Sequence, residues 1–264
     1  MGGLLVFVRS VDWALLGVGL LFASGLRGDL RAGVGAGRMT GDAPRMILWA
    51  WEEPEDLRTA DPRRLGVAFL AERVFVGQDV DVVPRRQRIL TPDGMWAEAV
   101  VRIEAERDFV DNAATRKSTA EAVLDAARLS GIRGVQVDFD AGESQRAFYA
   151  DVLLQVRAGL PQGVRLEMTA LVSWCSQEDG WMRSLPVDAA VPMYFRLGEH
   201  VGWWGVREPL CDGSIGIATD EPAIPPESMS GGQRLYVFAP RPWTAGQLTE
   251  LNEGMIPQDR RGAR

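Results

Sequence analysis

The chain has 264 residues, 46% of them apolar and 25% charged, and its 29 Lys+Arg against 36 Asp+Glu leave a formal net charge of −7. This is a globular composition, enough for one large domain or two small ones, and the acidic balance offers no basic surface to track phosphates, so nucleic acid is not expected as a partner. A lone histidine, His200, removes histidine-rich zinc sites and most Ser-His-Asp or Cys-His chemistry, and nothing in the sequence asks for a cofactor.

Residues 13–26 carry no charge, and 14–23 are almost wholly apolar. A bilayer span needs about 18 such residues, whereas a secretory apolar region needs roughly 7–15. With Ala23-Ser24-Gly25 following at a cleavage position, 1–25 is expected to be a signal peptide, with an uncleaved N-terminal anchor as the alternative. The protein is therefore expected to be exported, periplasmic or extracellular, touching a membrane only through that segment. The Gly/Arg-rich stretch 26–44 reads as a flexible linker. Its Gly33-Val34-Gly35-Ala36-Gly37 run has no strand before it and Arg38 at the third glycine position, so it is not a dinucleotide loop.

From residue 45 short apolar runs alternate with amphipathic segments, the rhythm of β/α units. Eight strands are predicted, at 46–51, 66–70, 98–103, 134–140, 165–172, 189–195, 214–218 and 234–239, with the clearest helices at 118–129 and 144–160. Between the second and third strands, 74–78, 80–84 and 88–91 alternate and are β-branched, closed by Pro92-Asp93-Gly94, which predicts a hairpin excursion. Arg85, Arg86 and Arg88 lie on it and read as a solvated, aggregation-resistant edge. The expected fold is a compact (β/α)8 barrel over 45–245, with some helices short or missing, particularly in the second half. A doubly wound open sheet is the alternative, and 246–264 reads as a C-terminal tail.

The most informative stretch is Val135-Gln136-Val137-Asp138-Phe139-Asp140. Period-2 alternation puts Val135, Val137 and Phe139 under the helices and turns Gln136, Asp138 and Asp140 toward the barrel axis. Acids two apart on a strand lie roughly 6.6 Å apart along it, close enough for each charge to raise the other's pKa. One carboxyl can then stay protonated while the other stays ionised: Asp140 is read as general acid and Asp138 as its ionised partner. Glu143 reads as a helix-terminal charge. A metal held by Asp138, Asp140 and Glu143 is the minor alternative.

The segment 131–140 resembles the fourth-strand signature of chitinase-type glycoside hydrolases, spaced aspartates leading to a glutamate acid. Arg133 and Gln136 stand at its first two aspartates, Asp138 matches the third, and Asp140 falls at the glutamate. Over nearly the whole chain after the linker, Leu48-Trp49-Ala50-Trp51-Glu52, Val67-Ala68-Phe69-Leu70, Val137-Asp138-Phe139-Asp140-Ala141, Thr169-Ala170-Leu171-Val172-Ser173-Trp174-Cys175 and Leu185-Pro186-Val187-Asp188 look like a bacterial family known as domain of unknown function 3142. That resemblance implies a glycoside-hydrolase-like barrel without an assigned reaction. By resemblance to chitinase-type barrels, Tyr194 takes the place of a sixth-strand tyrosine and Trp243 that of the tryptophan flooring the pocket.

Trp51 and Glu52 end the first strand, Trp174 follows the fifth, Tyr194 and Arg196 the sixth, Asp220 and Glu221 the seventh, and Trp243 the eighth. Aromatic faces interleaved with carboxylates around one rim suit a carbohydrate, because sugar C–H faces stack on indole while hydroxyls bond to charged acceptors. The expected function is a carbohydrate-active hydrolase, with Glu52, Asp220 or Glu221 as second carboxylate. A non-catalytic barrel binding a glycan or an envelope partner is the alternative. Trp203 and Trp204 are expected on a short covering helix beside His200. Cys175, after strand five, and Cys211, before strand seven, are expected at opposite ends of the barrel and therefore unbonded.

Overall fold

The computed structural model describes residues 43–176, 180–197, 206–221 and 233–257. The expected signal peptide, almost all of the linker, His200, Trp203 and Trp204 lie outside the described residues. The strands are β1 (Met46–Ala50), β2 (Glu55–Asp56), β3 (Leu65–Val76), β4 (Val80–Pro84), β5 (Ile89–Leu90), β6 (Trp96–Ala105), β7 (Gly134–Asp138), β8 (Arg165–Leu171), β9 (Ala189–Met193), β10 (Ser214–Ala218) and β11 (Arg234–Phe238). The helices are α1 (Ala113–Ala127), α2 (Arg146–Gly159), α3 (Val172–Ser176) and α4 (Ala245–Asn252).

Eight strands close into a parallel barrel in the order β1-β3-β6-β7-β8-β9-β10-β11, and β1 seals the ring by pairing with both β3 and β11. This is the (β/α)8 architecture, and all eight predicted strand positions are occupied. The hairpin excursion is also present: β3 runs on past the rim for 12 residues in all, and β4 folds back on it antiparallel. The short strands β2 and β5 pair beside it, so no helix lies between β1 and β6.

The helices form where a cap and an apolar stripe coincide. Asn112 accepts from the amides of Ala114 and Thr115, while Thr115 Oγ1 accepts from the Asn112 amide, so α1 begins five residues before the predicted start. In α2 the predicted stripe Phe148, Val152, Val156 is buried, joined by Tyr149 and Leu153. These side chains pack with Val135, Val137 and Phe139, forming the core outside the barrel. On the opposite side α4, capped by Thr244, buries Leu248 and Leu251 against the outer faces of β1 and β11. The tail expected from residue 246 therefore begins as part of the barrel wall, because Leu248 and Leu251 share one helical face.

The cysteines require a correction: Cys175 and Cys211 form a disulfide, with Cα atoms 5.9 Å apart. The chain turns into α3 directly at the end of β8, without a loop, and α3 lies outside the barrel. There the turn Pro209–Cys211, just before β10, reaches it, and the amides of Arg207 and Glu208 donate to the Cys175 carbonyl. Both cysteines are buried in the outer core. The return of the chain before β10 brings together two segments that strand order alone sets apart.

The barrel interior has two characters. Midway, the Trp49 indole fills the axis, and a Cβ on Gly216 would stand 2.7 Å from its ring, so glycine is required for that approach. At the N-terminal end, Glu98, Glu167, Arg234 and Tyr236 are each no more than 1% exposed. Arg234 Nη1 lies 3.1 Å from Glu167 and 3.8 Å from Glu98. Tyr236 Oη is 2.5 Å from Glu167 and 2.9 Å from Glu98. A phenol has one proton to give, so two such short contacts call for a proton on one of the carboxyls. Burial, reinforced by the Glu167 charge, pushes Glu98 up to about 7, against the pull of Arg234, Trp96 and Tyr236.

Candidate active site

At the C-terminal end of the barrel lies a cavity of about 980 Å³. In (β/α)8 enzymes this is the face where strand ends bring side chains together. Strand β7 behaves as its alternation predicts: Gln136 faces the axis and accepts from Trp49 Nε1 at 2.8 Å, and Asp138 and Asp140 both line the cavity above it.

What the sequence reading did not anticipate is the group between the two acids. Arg102 on β6 is in register with Asp138 and donates from Nη1 to Asp138 at 2.9 Å and from Nη2 to Asp140 at 3.0 Å. Thr169, on β8, donates its hydroxyl to the other oxygen of Asp138 at 2.6 Å. Asp138 is 3% exposed. Burial pushes its carboxyl up, Arg102 and Thr169 pull it back, and Asp140 adds only a minor push; the net shift is upward. One correction follows: the upward shift of Asp138 arises mainly from desolvation rather than from the neighbouring aspartate. Burial works against the charge of Arg102, but Asp138 and Asp140 together hold its pKa above the ordinary value.

Arg73 enters the cavity through an irregularity in β3. Leu70 pairs with Val100, Glu72 with Val101 and Arg73 with Arg102, so a bulge at residue 71 reverses the alternation and turns Arg73 to the side that Leu70 faced. Arg73 donates to Glu104 at 2.9 and 2.6 Å and to Glu52 at 2.9 Å. Glu72 is thrown to the other side, where burial and the charge of Asp125 raise it to about 7.

On the opposite wall Arg196 holds a left-handed backbone, φ 60°, which costs a non-glycine residue about 1–2 kcal/mol. The conformation is held by Glu221, which accepts from the Arg196 amide at 2.9 Å and from Nη1 at 2.6 Å, and by Asp220, which accepts from Nη2 at 2.8 Å. Aromatic walls complete the cavity: Trp51, Phe195 and Phe238 line it, with the last two stacked at 5.7 Å. Arg85, expected as a solvated edge, instead donates to the carbonyls of Trp51 and Glu53, fixing the loop that carries Trp51 and Glu52.

Of the expected substrate-contacting residues, Trp51, Glu52 and Arg196 line the cavity, while Asp220 and Glu221 stand behind Arg196 as its partners. Trp174, Tyr194 and Trp243 do not line it. Trp174 lies in α3, buried and edge-on to Trp181 at 5.1 Å. Tyr194 is buried in the outer core, whereas Trp243 packs outside β1, donating from Nε1 to the Trp49 carbonyl at 3.2 Å. Each was assigned by nearness to a strand end, but beyond the last paired residue alternation no longer decides the facing. Arg102 had a signal, since it shares the inward parity of Glu98 and Val100; Arg73 had none, because the bulge is invisible in the pattern. Glu143 sits exposed in the first turn of the 3-10 segment Glu143–Gln145. Among the described residues no group of three or more His, Cys, Asp or Glu side chains is placed to hold a metal.

No family model matches the chain. The resemblance to domain of unknown function 3142 thus stays a reading of the sequence, and no curated protein matches either. Among solved structures the chain is similar to the Bacillus cereus spore cortex-lytic enzyme SleL, with a TM-score of 0.44 and 15% identity over 67% of this chain and 52% of that one. The chain thus spans about half the length of that enzyme.

Proposed function

We propose that the barrel is a carbohydrate-active hydrolase that receives a glycan in its C-terminal cavity and acts on it through Asp138 and Asp140. The observation that carries the reading is that both carboxylates open onto one aromatic-walled cavity at the end of the barrel where such enzymes build their sites. Asp140 is the outer acid, engaged by Arg102 through Oδ2 only, and its Oδ1 is the oxygen available to pass a proton to a leaving group. Asp138, beneath it, anchors Arg102 and so positions Asp140. Glu52 or Glu104, held by Arg73, supplies the second carboxylate, and its separation from Asp140 sets retention or inversion. Export is part of the proposal, supported by the buried disulfide, since such bonds persist in oxidising compartments. No helix among the described residues is long and apolar enough to cross a membrane.

One observation favours a second reading. Asp138 and Asp140 are both engaged by one guanidinium, a fixed arrangement that suits a binding floor better than a proton donor. A non-catalytic glycan-binding barrel is the corresponding alternative. Screening envelope and exopolysaccharide glycans, first for binding and then for cleavage, separates the two. On the hydrolase reading Asp140→Asn lowers turnover by about 10²-fold or more while glycan binding persists. Undiminished cleavage in that variant removes Asp140 as donor, binding without cleavage by the wild type selects the second reading, and absence of any glycan binding overturns both.

A further inference from the structure

Three arginines around the mouth suggest, at first sight, a site for an anionic sugar. Their pairing argues the opposite. Arg73 lies between Glu52 and Glu104, Arg102 between Asp138 and Asp140, and Arg196 between Asp220 and Glu221. Each guanidinium serves two carboxylates; Asp220 and Glu221 stand behind Arg196, and in the lining itself Glu52, Glu104, Asp138 and Asp140 outnumber the three arginines by one. Arg73 has already committed Nε and both terminal nitrogens, and Arg102 and Arg196 both of theirs. An incoming carboxylate or sulfate would meet guanidiniums whose charge is already offset by two carboxylates each, with only the second N–H of a terminal nitrogen or an unused Nε–H left to bind it. The acids, in contrast, keep spare acceptors: no donor among the described residues reaches Asp140 Oδ1, Glu52 Oε2 or Glu104 Oε2. The aromatic walls point the same way independently, because the faces of Trp51, Phe195 and Phe238 carry the negative side of the ring quadrupole.

We infer that the cavity selects cationic glycans, those carrying free amino sugars, over their N-acetylated or acidic counterparts. This rests on the glycan reading above and adds the substrate class. A hexosamine presents C–H faces to the indole and phenyl rings and an ammonium, with three N–H donors, to the spare carboxylate oxygens.

The test is calorimetric titration of the full chain at mildly acidic pH with three oligosaccharide ladders of equal length: glucosamine oligomers, their fully N-acetylated forms, and oligo-uronates. The glucosamine ladder is expected to bind about tenfold or more tighter than the N-acetylated one, the preference shrinking as salt rises. The uronates are expected not to bind. Glu52→Gln and Glu104→Gln should each reduce the preference severalfold; the salt dependence of the wild type keeps the inference testable if either variant fails to fold. Equal or tighter binding of the neutral or acidic ladder overturns the charge inference and leaves the glycan reading standing. A tight glucosamine complex indifferent to salt also overturns it. If no ladder binds, this inference falls, and the wider glycan screen decides the glycan reading separately.

Discussion

The two ends of the barrel hold networks of similar composition that behave differently. At the N-terminal end Arg234 meets Glu98 and Glu167 out of contact with water, whereas at the mouth Arg102 meets Asp138 and Asp140 beside an open cavity. In the closed cluster the second carboxylate cannot be kept charged cheaply, so a proton is retained and shared through Tyr236. In the open one the outer acid, Asp140, reaches solvent and keeps an oxygen that no donor among the described residues occupies, so a ligand can reach it. Arginine–carboxylate pairing alone therefore does not tell a structural network from a functional one; access to water does.

The comparison is tested most severely by Arg234→Met. It leaves Glu98 and Glu167 in the sealed end with only the partly exposed Arg165 nearby, and should cost about 3–5 kcal/mol in urea unfolding. A loss as small as that of a surface pair would show that the two ends do not differ in kind. The pH dependence is the next largest effect. Unfolded Glu98 gives up its proton at about 4.5 and the folded residue at about 7, so between these values the native state holds the extra proton. Stability is therefore full at acidic pH and falls by a few kcal/mol as pH climbs from about 5 to about 8. Glu72, also raised to about 7, and Glu55, raised by burial to about 6, act with the same sign. Melting temperatures across this range should decline, and Glu98→Gln should make the decline shallower; a rise with pH would contradict the sealed-end account.

Tyr236→Phe removes only the hydroxyl that both glutamates share and should cost about 1–3 kcal/mol by the same unfolding measurement. At the mouth, Arg73→Gln breaks two partly exposed pairs and should change stability by no more than about 1 kcal/mol, while glycan binding is altered. A destabilisation there comparable to Arg234→Met would erase the contrast.

Much of this arrangement was legible in the chain. The eight strands stand out as short apolar runs, and the facing of Gln136, Asp138 and Asp140 follows from counting by twos within β7. Counting fails at three kinds of place. Past a strand end the backbone leaves the pleat, so Trp174 and Trp243 could not be assigned by position. At a bulge the count shifts by one, which hid Arg73. Contacts between distant segments leave no local trace, as with the Cys175–Cys211 bond and with Arg102 reaching across from β6 to both aspartates.

The bulge in β3 takes up a single extra residue without disturbing the register of the strand above it. Removing Ala71 would leave Leu70 opposite Val100 and Glu72 opposite Val101 as direct neighbours, restoring plain alternation with Glu72 still facing outward and Arg73 still facing the cavity. A one-codon deletion at the bulge would thus keep the Arg73 cation on the wall together with its hold on Glu52 and Glu104. Length at this point of the strand is therefore neutral for the wall's charge, which only a change of side chain would alter.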